Sequence, residues 1–284
     1  MTIPDQYIQY LNRKQSKDVD VVKFGWKDLD EHLAYGGMQK DFLCYIFGDP
    51  GTYKTYFAVN FVPKVLKQGK RILFFSFEMS FDNIMDRLLQ VILKKHISEL
   101  REFVPENEKF VIDTLIGLHF FDRLKLVTDA KYLSEIENEI VSFQPDVVII
   151  DYLQIIKSKI SGGGEQNDYM KIKMFTMALQ EIKKKYQIRI VCLVQLKRRS
   201  EEDRHSRLPR KDDARGSSDI ECSADLIIGG YRPDSELEKC SQMDRGIIKL
   251  STTLKNRYAS IINPFMIKLK YNRVTGELTQ DDNF

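Results

Sequence analysis

The chain has 284 residues, which at roughly 150 residues per domain bounds it to one large or two small domains. Its 43% hydrophobic and 30% charged residues, with 15 glycines and 8 prolines, exclude a collagen-like, low-complexity or wholly disordered polypeptide. Lys and Arg number 44 against 41 Asp and Glu, a net charge of +3, so any nucleic-acid surface has to be local rather than a property of the whole molecule.

The first 20 residues read as an arm: a short helix over Ile3–Leu11, then a charged linker, Arg13–Asp20. Met1–Arg13 has neither a basic n-region nor an apolar h-region, and no apolar run reaches membrane-spanning length, so no membrane partner is expected. The cysteines Cys44, Cys192, Cys222 and Cys240 are too dispersed for paired metal ligands, and Cys44 and Cys192 sit in apolar runs as buried thiols. A reducing cytosol fits this pattern.

From there strands alternate with helices, the pattern of a mostly parallel sheet covered on both faces. Phe42–Phe47, Arg71–Phe77, Asp146–Asp151 and Arg189–Val194 are short, continuous apolar runs that read as buried strands, with Leu124–Val127 as a fifth. Helices are expected over Thr55–Gln68, over Phe81–Lys95 behind a Ser80 cap, over Tyr132–Phe143, and over Asp168–Tyr186, where Lys183–Lys185 suit the helix dipole. Ser158–Asn167 and Lys197–Gly216 read as loops. Gly246–Leu254 and Pro264–Tyr271 alternate apolar and polar residues around a Val274-Thr275-Gly276 turn, as antiparallel strands at a C-terminal sheet edge would.

Directly after the first strand, Gly48-Asp49-Pro50-Gly51-Thr52-Tyr53-Lys54-Thr55 follows the phosphate-loop pattern G-x-x-x-x-G-K-[ST], except that Tyr53 replaces the second glycine. A strand, a glycine turn and a helix start aim backbone N–H groups and a positive dipole end at one point. Lys54 would reach the β and γ phosphates of a nucleoside triphosphate and Thr55 would ligate Mg²⁺. The loop keeps this function provided Tyr53 takes helical dihedrals and turns its ring away from the phosphates.

Val147–Asp151 places a carboxylate at the end of a rigid apolar strand, where Asp151 can orient the Mg²⁺ hydration shell. An apolar strand ending in Asp is common by itself; Lys54 and Thr55 earlier in the chain make it a metal-site reading. Glu78 follows the second strand and would stand at the carboxyl edge beside the loop, able to polarise an attacking water. Gln195 ends the fourth run, where an uncharged amide can contact a γ-phosphate and report its loss to the loop that follows.

These residues, in this order, resemble the RecA-like P-loop ATPase domain of the DnaB-like hexameric replicative helicases. Phe75-Ser76-Phe77-Glu78-Met79-Ser80 is similar to that family's FSLEMS, and Ile149-Ile150-Asp151-Tyr152-Leu153-Gln154 to its IDYLQ. Gln195-Leu196 opens an SQLNR-like segment, and Asp213-Ala214-Arg215 through Ala224-Asp225-Leu226-Ile227 resembles DLRESGSIEQDADLI. The likeness runs from about Gly25 onward, so residues 21–284 would form the ATPase domain. It implies Glu78 as catalytic base, Asp151 as metal carboxylate and Gln195 as γ-phosphate sensor. It implies Lys255 and Arg257, in Lys255-Asn256-Arg257, as residues that reach into the neighbouring subunit's nucleotide, and Arg215, Gly216 and Ser218 as the DNA contact.

Between Lys197 and Arg215, eight basic residues face five acidic ones, a local excess that suits backbone phosphates. Few aromatic residues lie nearby, so the grip would be sequence-indifferent rather than built on stacking. The resemblance thus implies an ATP- and Mg²⁺-dependent motor that moves on single-stranded DNA as a ring of six copies, with a primase or helicase loader as further partner. Room for the family's usual N-terminal helical domain is not expected, and Ile3–Leu11 would be a remnant linker helix docking on the next subunit. Two other classes stay open at this point: a RecA-type recombination or repair ATPase forming filaments on DNA, and a non-catalytic nucleotide-binding assembly protein.

Overall fold

The computed structural model describes residues 3–4, 7, 20–129, 132–151, 165–197, 200, 203, 206–214, 217–233, 246–258 and 266–280. Nine strands form one sheet: β1 (Phe42–Gly48), β2 (Ile72–Ser76), β3 (Leu124–Val127), β4 (Val147–Asp151), β5 (Arg189–Gln195), β6 (Leu226–Tyr231), β7 (Ile247–Asn256), β8 (Met266–Tyr271) and β9 (Leu278–Gln280), in the order β3-β2-β4-β5-β1-β6-β7-β8-β9. The first six are mutually parallel and β7 to β9 are antiparallel. The α/β architecture and its antiparallel C-terminal edge match the sequence reading.

Continuous apolar runs form the inner strands because helices cover both faces. In β1, Phe42, Cys44 and Ile46 enter one core while Leu43, Tyr45 and Phe47 enter the other. Over the first face lie α1 (Lys27–Glu31), α2 (Lys54–Lys67) and α3 (Phe81–Leu93); the second is covered by α7 (Leu133–Phe143), α8 (Glu165–Tyr186) and α9 (Ser217–Ser223). Ser80 caps α3 as expected, its side chain accepting from Asn83 N at 3.4 Å. Asn60 ties α2, the helix that follows the phosphate loop, to the far edge: its amide donates to Gly276 O at 2.8 Å and its Oδ1 accepts from Leu278 N at 2.8 Å.

Three differences from the sequence reading have physical causes. Residues 97–123 hold α4 (Ile97–Glu106), α5 (Glu108–Gly117) and α6 (Phe120–Arg123), which periodicity did not reveal because Phe110, Ile116 and Phe121 point outward and blur any apolar stripe. The turn at 274–276 joins β8 to β9, so the edge carries a third short strand. Lys183, read as a helix-end lysine that suits the dipole, is 2% exposed and donates to Asp225 Oδ2 at 2.5 Å. Of the expected loop Ser158–Asn167, residues 165–167 are helical and 158–164 lie outside the described residues.

Candidate active site

Strands β1, β2, β4 and β5 all end at one edge of the sheet, and β1 has β5 on one side and β6 on the other, the topological switch point where α/β sheets hold ligands. Register brings Gly48 opposite Gln195 and Ser76 opposite Asp151. The chain leaves β1 through residues 49–53 and enters α2 at Lys54. Thr52 closes this turn, its Oγ1 donating to Asp49 O at 2.7 Å. Gly51 supplies the left-handed residue at φ +68°, which only glycine adopts without strain.

Lys54 is 8% exposed, and its ammonium donates to Gly48 O at 2.9 Å and Asp49 O at 2.8 Å. Burial pulls its pKa down to about 8, against the upward pull of Asp151, Asp49 and Glu78. A triphosphate needs the charged form, so its affinity should fall as pH rises through about 8, by up to about tenfold per further pH unit. Titration of fluorescent ATP analogue between about pH 7.5 and 9.5 checks this, and binding in that range should take up protons.

Tyr53 does not have helical dihedrals: it sits at φ −147° and ψ −10°. This corrects one half of the sequence condition, but the negative φ is not one that demands glycine. The other half holds. The ring is 1% exposed within the core, and its hydroxyl donates to Phe47 O. Gly48 and Gly230 make space for it, since a Cβ at either would lie 3.0 Å from the Tyr53 ring or 2.7 Å from its hydroxyl. The glycine missing at position 53 is therefore not missed by the loop. Tyr53→Gly, which restores the usual pattern, should destabilise the fold by about 3–5 kcal/mol through the cavity it opens. Chemical denaturation of both proteins measures that difference.

Thr55 Oγ1 donates to Asp151 Oδ2 at 2.9 Å. Asp151 is 2% exposed, and burial raises its pKa to about 6 even though the Thr55 hydrogen bond, Lys54 and Arg87 pull it down. A hydroxyl and a carboxylate in contact are the hard oxygen donors that Mg²⁺ accepts, and a buried carboxylate short of positive charge gains from a divalent cation. These residues fit the ion.

A cavity of about 550 Å³ opens over the loop and is bounded by Lys54, Thr55, Glu78, Asp151 and Gln195. The structure thus brings the sequence-selected residues of one chain together at one edge. Five further residues line it that were given no site role from sequence: Met79, and the polar and aromatic group Tyr56, Arg87, Arg232 and Tyr271. The Tyr56 and Tyr271 rings are 4.8 Å apart, with Arg87 4.9 Å from the Tyr56 centroid and Arg232 5.3 Å from that of Tyr271. Burial pushes the Tyr271 phenol well up. The four side chains form an arginine–aromatic wall along the cavity. Its members come from α2, α3, β8 and the end of β6, so no sequence spacing could disclose it.

Lys255 and Arg257 are elsewhere. Arg257 N donates to Asp225 O at 2.8 Å, and Asp225 N to Leu43 O at 2.9 Å, which puts Arg257 level with Leu43. Five residues of β1 separate Leu43 from Gly48, roughly 16 Å along the strand. Lys255 donates to Glu221 O, and Arg257 Nη1 donates to Asp225 Oδ1 at 2.7 Å. Of the expected DNA contacts, Ser218 is exposed in the first turn of α9, and Arg215 and Gly216 lie outside the described residues. The preceding loop is partly self-neutralised: Arg207 pairs with Asp203 at 2.7 Å and Asp213 at 3.0 Å, and Lys211 pairs with Glu221. Its base is closed by a bridge between Leu196, next to Gln195, and Ala214.

Residues 21–275 match the family model described as DnaB-like helicase C terminal domain. The chain belongs to this family. Against this DnaB-like domain, a probable plasmid replicative DNA helicase of Chlamydia psittaci is 30% identical over 278 residues, covering 95% of the chain and 58% of the relative. The replicative DNA helicase DnaB of Haemophilus influenzae is 28% identical over 276 residues, covering 92% and 55%. The DnaB-like domain thus spans about half the length of the curated relatives it matches. Among solved structures, an ATPase domain superposes with a TM-score of 0.84 at 19% identity over 99% of both chains. The structure of a DnaB-like replicative helicase and its interactions with primase gives 0.83 at 20% identity over 99% of this chain and 69% of that one. These likenesses show the RecA-like fold. Among the described residues of the DnaB-like domain, no helix is long and apolar enough to cross a membrane.

Proposed function

We propose that this chain is the ATP-hydrolysing motor of a replicative DNA helicase, acting in the cytosol as a ring of six copies that moves on single-stranded DNA. The observation that carries the reading is the separation of the two halves of the site. Lys54 and its loop stand at one sheet edge, while Arg257, level with Leu43, and Lys255, level with Tyr45, stand about five and three residues of β-strand away toward the other. A second copy is needed to bring them together.

In this reading the loop N–H groups of residues 51–55 and the Lys54 ammonium hold the triphosphate, and the Tyr56–Tyr271 wall orients the base. Thr55 and Asp151 would hold Mg²⁺, whose chemistry when bound is to neutralise charge on the β and γ oxygens. Glu78, exposed at the cavity, accepts a proton from the attacking water. Gln195 touches the γ-phosphate, and its neighbour Leu196 carries loss of that contact through the Leu196–Ala214 bridge toward Arg215, Gly216 and Ser218 on DNA. Lys255 and Arg257 of the adjacent copy stabilise charge on the transferring phosphoryl group.

Residues 1–20 serve as the arm in this assembly. Ile3 and Tyr7 are exposed, as are Phe110 and Ile116 on α5 and Phe121 on α6, and such exposed apolar side chains suit docking between copies. A primase or a loader is the expected partner of the assembled ring. ATP turnover of the full chain with and without a single-stranded oligonucleotide tests the reading, together with negative-stain images in ATP analogue. DNA-stimulated turnover by closed rings is expected. Filaments would instead mean a recombination-type ATPase, and tight ATP binding without stimulated turnover an assembly protein.

A further inference from the structure

We propose that Asp225 is the positioning residue that holds Arg257 ready for the neighbouring copy's nucleotide, with Lys183 as its buried counter-charge. The inference rests on the trans-acting role given to Arg257 above.

Asp225 is fully buried, and its Oδ2 accepts from Lys183 Nζ at 2.5 Å and from Leu43 N at 2.9 Å. Lys183 is itself buried, donates to Asp41 O at 3.2 Å and lies 3.4 Å from Asp41 Oδ1. Its ammonium is shared between two carboxylates, with the shorter contact to Asp225, and a hydrogen bond from β1 also secures Asp225. Both of these bonds use Oδ2 alone. Yet Oδ1 accepts from Arg257 Nη1 at 2.7 Å, Cys222 O accepts from Nη2 at 3.3 Å, and Asp225 O accepts from Arg257 N at 2.8 Å. The guanidinium is gripped at its tip and its root, while the side chain stays 40% exposed.

A buried Asp–Lys pair that extends an oxygen to a partly exposed arginine pre-orders a long, rotamer-rich side chain on the surface that must enter a partner. Ordering before association removes that cost from the transition state, where the charge is needed. The anchor is rigid on every side: Lys183 belongs to α8, Leu43 to β1, and Asp225 leads into β6. Lys255 is held on the same surface by Glu221 O of α9.

The test uses the assembled full chain with single-stranded DNA and ATP. Asp225→Asn combined with Lys183→Met removes the buried Asp225–Lys183 pair together, and Asp41, the other carboxylate beside Lys183, has a side chain 35% exposed to water. The expected result is a fall in kcat of about 10²-fold with KM for ATP and binding of a fluorescent ATP analogue unchanged. In an Arg257→Ala background the same pair should lower kcat no further, because both act through one guanidinium. Mixing the double variant with Lys54→Ala subunits, which keep an intact Arg257, should restore turnover at hybrid interfaces. Wild-type kcat in the double variant, or losses that multiply with Arg257→Ala, would overturn the inference while leaving the finger role of Arg257 standing. Wild-type turnover in Arg257→Ala alone would overturn that role and this inference with it. Should the double variant not fold, side-chain ¹⁵N relaxation of the wild-type protein decides: an Arg257 Nε–H order parameter near about 0.85 supports the grip, and one under about 0.6 rejects it.

Discussion

Lys54→Ala should reduce ATP turnover by about 10³-fold or more, since it removes the cation that meets the developing charge between the β and γ phosphates in a water-poor cleft. The same substitution should leave thermal stability unchanged or raise it. Burial holds the Lys54 pKa at about 8 instead of 10.5, so the charged lysine costs the fold roughly 3 kcal/mol at neutral pH, a cost that fades as pH rises from about 8 to 10.5. Alanine removes that cost and two hydrogen bonds to loop carbonyls together. A melting curve beside a turnover assay separates the two effects: lost activity with an intact or higher melting temperature is the signature of a phosphate ligand, and retained turnover would remove the site from the chemistry.

Arg257→Ala should lower kcat by about 10³–10⁵-fold while ATP still binds, the size of effect seen when a charge supplied across an interface is lost. Its own chain's phosphate loop is out of reach, level as it is with Leu43 rather than Gly48. Activity should therefore be lost in homogeneous rings and partly recovered when Arg257→Ala subunits are mixed with Lys54→Ala subunits, because one interface type in the mixture pairs an intact loop with an intact arginine. Stability should change little, for the side chain is 40% exposed and Asp225 keeps Lys183 as partner. Steady-state kinetics at fixed subunit concentration with varied mixing ratio measures this. A linear decline with the mutant fraction, with no recovery, would place the arginine outside the neighbour's site.

How far the sequence reveals the fold depends on whether burial is two-sided. Strands β1, β2, β4 and β5 are apolar on both faces and stand out as continuous runs, and Ser80 marks the start of α3 with a side-chain cap. β6 did not stand out as a strand, because Gly229 and Gly230 dilute its apolar character; those glycines are needed where Leu254 and Tyr53 crowd the backbone. Lys183 looks like a helix-end cation until Asp225, distant in sequence, claims it.

What the sequence by itself determined is the placement of the loop and its companions: Gly48, Asp151 and Gln195 end strands, residues 49–55 and Glu78 follow them, and parallel strands end at a common edge, so local spacing is enough to gather them. Tertiary structure alone decided three things. It showed that Tyr53 is a core residue rather than a damaged glycine position, because the space it fills belongs to Gly48 and Gly230 from two strands. It assembled the Tyr56, Arg87, Arg232 and Tyr271 wall from four separate elements. And it placed Arg257 beyond reach of its own loop, because β7 runs antiparallel to β6 and carries the chain back toward the opposite edge before the arginine appears.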